Sequence, residues 1–345
     1  MILRIKRSLL LTSVALVAAC AGPDGNDSAD DSTGDPALGS QIAGDGGVIP
    51  REPGTGPGCG AQSLGAGSHR FTLRSANGIT YKYDIVVPPS YVPTERTPTV
   101  FFWHALTSGP KETRNLIHVD QTAEARRVIT VHPESPDASW DTGSCCTGNV
   151  LGRRRNEEIF ARELVEAVKS KVCVDSRRVY TTGFSNGGMM SQYLACKAPD
   201  LFAAAVAMSG TLTIPKAQCR PSRAIPLLMI NGTADPLVGY NGTSLSGGLS
   251  AVNAYSFWAQ TNTCQGKPVQ TLSKGKATCT AYQQCRDGVE VGLCTINGMG
   301  HCVAGMKKAS NANCLTRIIL PLGRPNDDID GYEVAMDFLL RWTLP

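Results

Sequence analysis

Histidine is scarce in this chain, five among 345 residues, and no cysteines stand at the CxxC-like spacing that a clustered metal site needs. Nor do aromatic residues interleave with basic ones as on a nucleic-acid surface. These shortages speak against a metal centre and against a nucleic-acid partner, and no cofactor is expected. The longest N-terminal apolar run, from Leu9 to Ala19, falls short of the ~20 residues that cross a bilayer. No appended carbohydrate-binding or polymer-binding module is expected on the domain beyond it.

What is present is more specific. Gly183-Phe184-Ser185-Asn186-Gly187 stands where an apolar strand, Arg178 to Thr182, turns into a helix, which is the setting of a nucleophile elbow. In such a turn the serine takes a strained backbone, and side chains at 183 and 187 would collide with the neighbouring strand and helix. An ordinary Gly-rich turn is the plainer reading of the pentapeptide alone. The run Phe202 to Met208 that follows has the length and apolarity of a central parallel strand.

The scarcity of histidine then becomes useful, because a nucleophile in this setting is followed by its acid and its base in that order. His69, His104, His118 and His132 all precede Ser185, leaving His301 as the candidate base. Of the carboxylates between them, Asp200, Asp235, Asp287 and Glu290, only Asp235 directly follows a buried strand and its turn. His301 itself follows a strand over Val289 to Ile296. A surface or core histidine and a plain Asp-Pro turn are the alternatives to this joint pattern.

Arg4, Lys6 and Arg7 before the apolar run, and Cys20 after it, read as a signal peptide over 1–19 with lipidation at Cys20, or as a plain secretory signal. A membrane partner through that lipid, at a bacterial cell envelope, or secretion without it, is the corresponding expectation. Residues 21 to 58 hold seven acidic residues, one arginine and almost no large apolar side chain, so 20–58 reads as a disordered tether. Removing the signal's three basic residues and the tether's one and seven leaves 29 basic and 22 acidic residues in a single domain over 59–345. That domain is expected to be a mildly cationic monomer. Setting Cys20 aside, the other twelve of the 13 cysteines lie at or beyond Cys59, an even count that implies disulfides in an exported domain. The adjacent Cys145 and Cys146 are expected to find separate partners.

The element order is an opening hairpin (Phe71 to Arg74, Tyr81 to Val87), strands at Thr99 and Val128, and an amphipathic helix over Asn156 to Val172 with Ile159, Leu164, Val165 and Val168 on one stripe. The nucleophile strand and helix come next, then strands at Phe202 and Leu227, a helix over Ala251 to Gln260, the Val289 strand and a closing helix over Gly331 to Trp342. Such alternation predicts an α/β fold with a doubly wound, mostly parallel sheet, and chemistry at the carboxyl ends of its strands.

From Cys59-Gly60, through Tyr83 to Pro88 with Tyr91, His104, Trp140 with Cys145-Cys146, Val174 to Tyr180, Asn231 to Asp235 and Gly298 to His301, the chain resembles the secreted feruloyl esterase and polyhydroxybutyrate depolymerase family of α/β-hydrolases. The resemblance implies hydrolysis of carboxylic esters. Ser185 would attack, His301 would take its proton and Asp235 would orient the imidazole; backbone N–H groups of Asn186 and of Leu106, or Thr107, would hold the oxyanion. Two departures stand out: His104-Ala105 replaces His-Gly in the oxyanion loop, and Cys302-Val303-Ala304-Gly305 follows His301 where the family has Trp-Pro-Gly. His104 is expected to organise its loop by bonding backbone. Substrate walls are expected at Thr107, Trp140, Tyr240 and Val303, and the Arg153 to Arg155 run as a solvated turn or a contact for carboxylates of uronic or phenolic acids. Feruloyl or acetyl esters of plant polysaccharide are the expected substrate. A polyhydroxybutyrate depolymerase, a surface binding protein on an inactive hydrolase scaffold, and a peptidase are the rivals. Asn231-Gly232-Thr233 and Asn241-Gly242-Thr243 match glycosylation acceptors.

Overall fold

The computed structural model describes residues 52–116, 118–146, 154–242, 244–305, 314 and 322–345. The expected signal, Cys20 and the tether as far as residue 51 lie outside them, as do Arg153 and Thr243.

Six parallel strands form the middle of one ten-stranded sheet: β3 (Thr97–Trp103), β4 (Ile129–Glu134), β5 (Val174–Phe184), β6 (Ala204–Met208), β7 (Leu227–Gly232) and β10 (Val291–Ile296). An antiparallel hairpin flanks each side, β1 (Gly67–Arg74) with β2 (Thr80–Val87), and β8 (Val269–Lys274) with β9 (Ala277–Tyr282). In spatial order the sheet runs β1-β2-β4-β3-β5-β6-β7-β10-β9-β8. The second hairpin is an element that the apolar-run reading passed over.

Every residue of β3, β6 and β7 is buried, because helices cover both faces of the central strands. The two-residue period sorts β3 between two cores. Val100 and Phe102 join the cluster under α6 (Gly331–Leu339), whereas Phe101 and Trp103 join the one under α3 (Glu157–Lys169) and α4 (Asn186–Lys197). A third cluster packs α5 (Ala251–Thr261) on Leu227, Met229, Val291 and Leu293. Two short helices, α1 (Pro110–Leu116) and α2 (Val119–Ala125), fill the connection from β3 to β4. Asn156 caps α3 by accepting from the N–H groups of Glu158 and Ile159. Its buried stripe is Phe160, Ala161, Leu164, Val165 and Val168; Ile159, expected there, is half-buried and Phe160 takes its place.

Packed backbone begins before Cys59. Gly54 donates to Thr94 O at 2.9 Å and Arg96 donates to Glu52 O at 2.8 Å, so residues 52–58 are already laid against the domain. Six disulfides join Cys59–Cys173, Cys145–Cys146, Cys196–Cys219, Cys264–Cys285, Cys279–Cys294 and Cys302–Cys314. The expectation of separate partners for Cys145 and Cys146 is corrected. The other ten cysteines pair among themselves, and Cys146 adopts φ 66°, a left-handed bend that turns two adjacent side chains to one side instead of opposite ones. The Cys59–Cys173 bridge spans a sequence separation of 114, a closure worth about 5 kcal/mol in the chain-entropy account.

Candidate active site

Ser185 sits between the end of β5 and the first residue of α4 with φ 56° and ψ −118°, a backbone that a non-glycine residue holds only when its surroundings impose it. Three features do so. Ser185 N–H donates to Met208 O at 2.9 Å; a Cβ on Gly183 would come within 2.5 Å of the Gly187 carbonyl; and a Cβ on Gly187 would run into the Trp103 carbonyl. The glycines are therefore required because strand β3, strand β5 and helix α4 meet there with no room for a side chain.

His301 arrives from the loop after β10, Asp235 from the loop after β7. His301 Nδ1 lies 2.8 Å from Asp235 Oδ2, and its Nε2 lies 2.7 Å from Ser185 Oγ. A carboxylate can only accept, so Nδ1 carries the proton and Nε2 is left to accept from the serine hydroxyl. The other carboxylate oxygen, Asp235 Oδ1, accepts from the N–H groups of Leu237 and Val238 at 2.8 and 2.9 Å. Both Asp235 and His301 are buried, Ser185 is half-buried, and the Phe184 ring lies against the imidazole with centroids 5.1 Å apart. The chain thus aligns a buried acid, a buried imidazole and a reachable hydroxyl. The other carboxylates are spent elsewhere: Asp200 pairs with Arg162, Glu290 with Arg341, and Asp287 is exposed.

Beside the serine, Asn186 is the first residue of α4, so its backbone N–H has no acceptor within the helix. Its side chain clasps the facing loop: Oδ1 accepts from Trp140 N–H at 2.7 Å and Nδ2 donates to Trp140 O at 3.0 Å. Of the two donors expected from the loop after β3, Thr107 N–H is spent on Ala138 O at 2.8 Å. Leu106 remains. The loop's left-handed residue is Thr107, with φ 63°, and Ala105 is not among the positive-φ residues, so alanine in place of the family's glycine requires no strain.

His104 is fully enclosed. Its Nε2 accepts from Ser135 N–H at 3.1 Å, which places the proton on Nδ1, and Nδ1 donates to Ala105 O at 2.8 Å. Burial lowers its pKa from the usual value to about 4. The ring therefore stays neutral and ties the oxyanion-side loop to the loop over 135–141.

Trp140, expected on a substrate wall, is corrected: it has no exposed surface. Its indole N–H donates to His104 O at 3.0 Å, and its ring packs on Tyr81, Trp103 and Phe160. Size made it a candidate wall; the clasp from Asn186 draws it inward. Val303 is likewise corrected, being 2% exposed in the cluster that holds Phe184 and Met299. The Cys302–Cys314 bridge and a bond from Ser209 Oγ to Cys302 O at 2.8 Å turn that segment into the core. Thr107 is exposed and Leu106 half-buried. Tyr240 is half-buried with its hydroxyl 2.5 Å from Thr295 Oγ1. Asn231 is buried, which closes the first glycosylation acceptor.

Under the Trp140 loop lies a polar network that the sequence did not disclose. Arg155 reaches Asp137 at 2.7 Å, Glu157 at 2.9 Å and Ser139 O at 2.5 Å, with its side chain 4% exposed. This corrects the reading of that arginine as part of a solvated turn. Burial opposes its charge, but Glu157 and Asp137 outweigh that and hold its pKa above the ordinary value. Glu157 also accepts from Tyr81 OH at 2.9 Å and from Asp141 N–H at 3.1 Å, and burial pushes its pKa up. Nothing in the residue types around 153–157 announces partners at 81, 137 and 139. Among the described residues no group of three or more His, Cys, Asp or Glu could hold a metal ion.

The Esterase family model, described as "Putative esterase", matches residues 76–299, well over half of the chain and a span that holds Ser185 and Asp235. The chain belongs to this esterase family. Feruloyl esterase B of Piromyces equi is 38% identical over 178 residues, covering 47% of this chain and 31% of that protein. Feruloyl esterase D of Neurospora crassa is 25% identical over 243 residues, covering 65% and 75%. The chain thus spans about a third of the length of the Piromyces protein. An acetyl xylan esterase from Aspergillus awamori superposes with a TM-score of 0.54 at 18% identity, covering 68% of this chain and 94% of that one. That likeness carries the fold, an α/β-hydrolase with a large, mostly parallel sheet. In this chain the aligned hydroxyl, imidazole and carboxylate follow the carboxyl ends of β5, β10 and β7, the edge of the sheet where ligands bind in such folds.

Proposed function

We propose that this protein is a serine carboxylic-ester hydrolase. The observation that carries the reading is the unbroken hydrogen-bond line from Ser185 Oγ through His301 to Asp235, ending at a strained elbow. Ser185 Oγ attacks the ester carbonyl carbon while its proton passes to His301 Nε2, and Asp235 stabilises the imidazolium that forms. The oxyanion is held by the N–H groups of Asn186 and Leu106, each such donor being worth about 3 kcal/mol. His301 returns its proton to the departing alkoxide, the alcohol leaves, and an acyl-serine remains. Water then gives up a proton to the same Nε2 and attacks the acyl carbon, and as the Ser185 Oγ–carbon bond breaks Nε2 returns that proton to Oγ, freeing the carboxylic acid and the serine.

Feruloyl or acetyl esters of plant polysaccharide are the substrate class supported by relatives named feruloyl esterase and, at 27% identity, probable acetylxylan esterase A of Aspergillus flavus. Six disulfides accord with an oxidising compartment and hence with export, and the basic start, apolar run and Cys20 of the sequence support lipidation at that cysteine. The test is a parallel assay of the purified protein on p-nitrophenyl acetate, methyl ferulate, acetylated xylan and amorphous polyhydroxybutyrate. Release of ferulate or acetate supports the reading, clearing of the polyester alone would replace its substrate, and inertness to all four would promote a binding protein on a hydrolase scaffold.

A further inference from the structure

An open cleft of about 610 Å³ lies beside α4, lined by Asp141, Gly143, Ser144, Arg154, Tyr193, Lys197, the 212–216 segment, Gln218 and Gly247 to Leu249 among others. Ser185, Asp235 and His301 do not line it. Its two long walls nevertheless start at the serine's neighbours. One wall, Asp141 to Ser144, continues directly from Trp140, which Asn186 clasps. The other, Leu212 to Lys216, continues from Ser209 and Gly210: Ser209 bonds Cys302 O beside His301, and Gly210 packs on Gly188 in α4. Leu212 is three residues from Ser209, so their Cα atoms lie within about 11 Å of each other.

The charge of this cleft is one-sided. Arg154 has a side chain 70% exposed, Lys216 is exposed and Lys197 is half-buried. Arg154 donates to Gly143 O at 3.0 Å and Lys197 to Gln218 O at 2.9 Å, contacts that aim the two cations while leaving further N–H donors. Asp141 is the one carboxylate in the lining. It is 4% exposed, accepts from Arg155 N–H at 2.7 Å, and lies 3.5 Å from Arg154. Arg155, also in the lining, is consumed by Asp137 and Glu157. The lining thus holds Arg154, which pairs with Asp141, together with Lys197 and Lys216, whose ammonium lies 6.0 Å from the Phe257 ring centroid, against that one carboxylate.

We infer that this cleft holds the alcohol half of the ester, a polysaccharide segment bearing a uronic-acid carboxylate. The inference rests on the esterase reading for its ligand class. An aryl acyl group wants an enclosed apolar slot, whereas this cleft is open and offers glycine backbone, the Tyr193 ring, Gln218 and cations. Those suit a hydrated chain with a negative charge. The carboxylate meets Arg154 and Lys216.

The test separates the cleft from the chemistry. The full-length Ser185→Ala protein is titrated calorimetrically with a xylo-oligosaccharide carrying one glucuronic acid and with its neutral counterpart, at low and high salt. The acidic sugar should bind roughly tenfold more tightly at low salt, as exposed ion pairs allow, and salt should narrow the gap. In the Arg154→Ala/Lys216→Ala background the gap should close, and the ratio of kcat/KM on acidic over neutral acetylated xylan, measured within each active protein, should fall with it. Equal affinity for both sugars overturns the inference, as does a gap that survives the double substitution or displacement of the acidic sugar by free ferulate. If the preference holds while every ester remains uncut, the cleft stands and the esterase reading falls.

Discussion

Two buried polar arrays lie on either side of Asn186, and they are built to opposite ends. The line Ser185–His301–Asp235 terminates in a half-buried hydroxyl, and its middle member has one nitrogen protonated and one free. It can pass a proton. The array of Arg155, Glu157, Asp137 and Tyr81 closes on itself, with Arg155 and Glu157 both buried and paired to each other. It can only hold shape. The contrast teaches that burial of charge marks chemistry here only where the line is left open at one end, while the closed array keeps the Trp140 loop against Asn186.

The largest effect should come from cutting the open line. Asp235→Asn should reduce kcat by up to ~10⁴-fold, because an amide favours the wrong imidazole tautomer, while Asp287→Asn, at an exposed turn, should leave the rate intact. Steady-state kinetics on p-nitrophenyl acetate distinguishes them; equal small losses would mean that the acid is elsewhere.

Cutting the closed array should cost stability instead. Arg155→Met leaves Glu157 and Asp137 without their counter-charge, a loss of about 3–5 kcal/mol for a broken buried pair. Arg162→Met removes pairs with Glu158 and Asp200 around a side chain that is 37% exposed, where less than about 1 kcal/mol is at stake. Urea unfolding with the disulfides intact reads both, and indistinguishable midpoints would erase the distinction between the arrays.

His104 provides a smaller, pH-dependent measure. Its folded pKa of about 4 lies below the ordinary ~6.5 of histidine, so the unfolded chain binds this proton more readily. Its contribution to stability is full above pH ~6.5 and declines as the pH falls toward about 4, by about 3 kcal/mol in all. Unfolding midpoints of the wild type and His104→Gln should diverge at pH 7 and converge near pH 4; parallel curves would show that the imidazole titrates freely. The mildest effect is expected at the junction of the arrays. Asn186→Ala deletes both bonds of the clasp while retaining the backbone N–H, so kcat should fall roughly tenfold, in line with about 1–2 kcal/mol, with KM little changed. A change confined to KM would place Asn186 at the substrate instead.

Much of this was legible in the residues. The elbow was readable because three elements cannot meet without glycine at 183 and 187, and the base because four of the five histidines precede Ser185. The central strands were readable as continuous apolar runs. The β8–β9 hairpin was not, since β8 is an exposed edge and β9 buries only Ala277, Cys279 and Ala281, residues too small to register as an apolar strand. Trp140 and Val303 misled because loop residues were taken for walls, when a clasp from Asn186 and a disulfide at Cys302 turn them inward. Arg155 misled for the converse reason: an arginine run reads as solvent-facing unless its distant acids are known.

The central claim is that Ser185 is a nucleophile activated through His301. Intact-mass measurement after exposure to a fluorophosphonate tests it most directly. The wild type should gain one adduct, mapped to Ser185, and Ser185→Ala should gain none; absence of labelling in the folded wild type, or labelling that survives the substitution, would contradict the account.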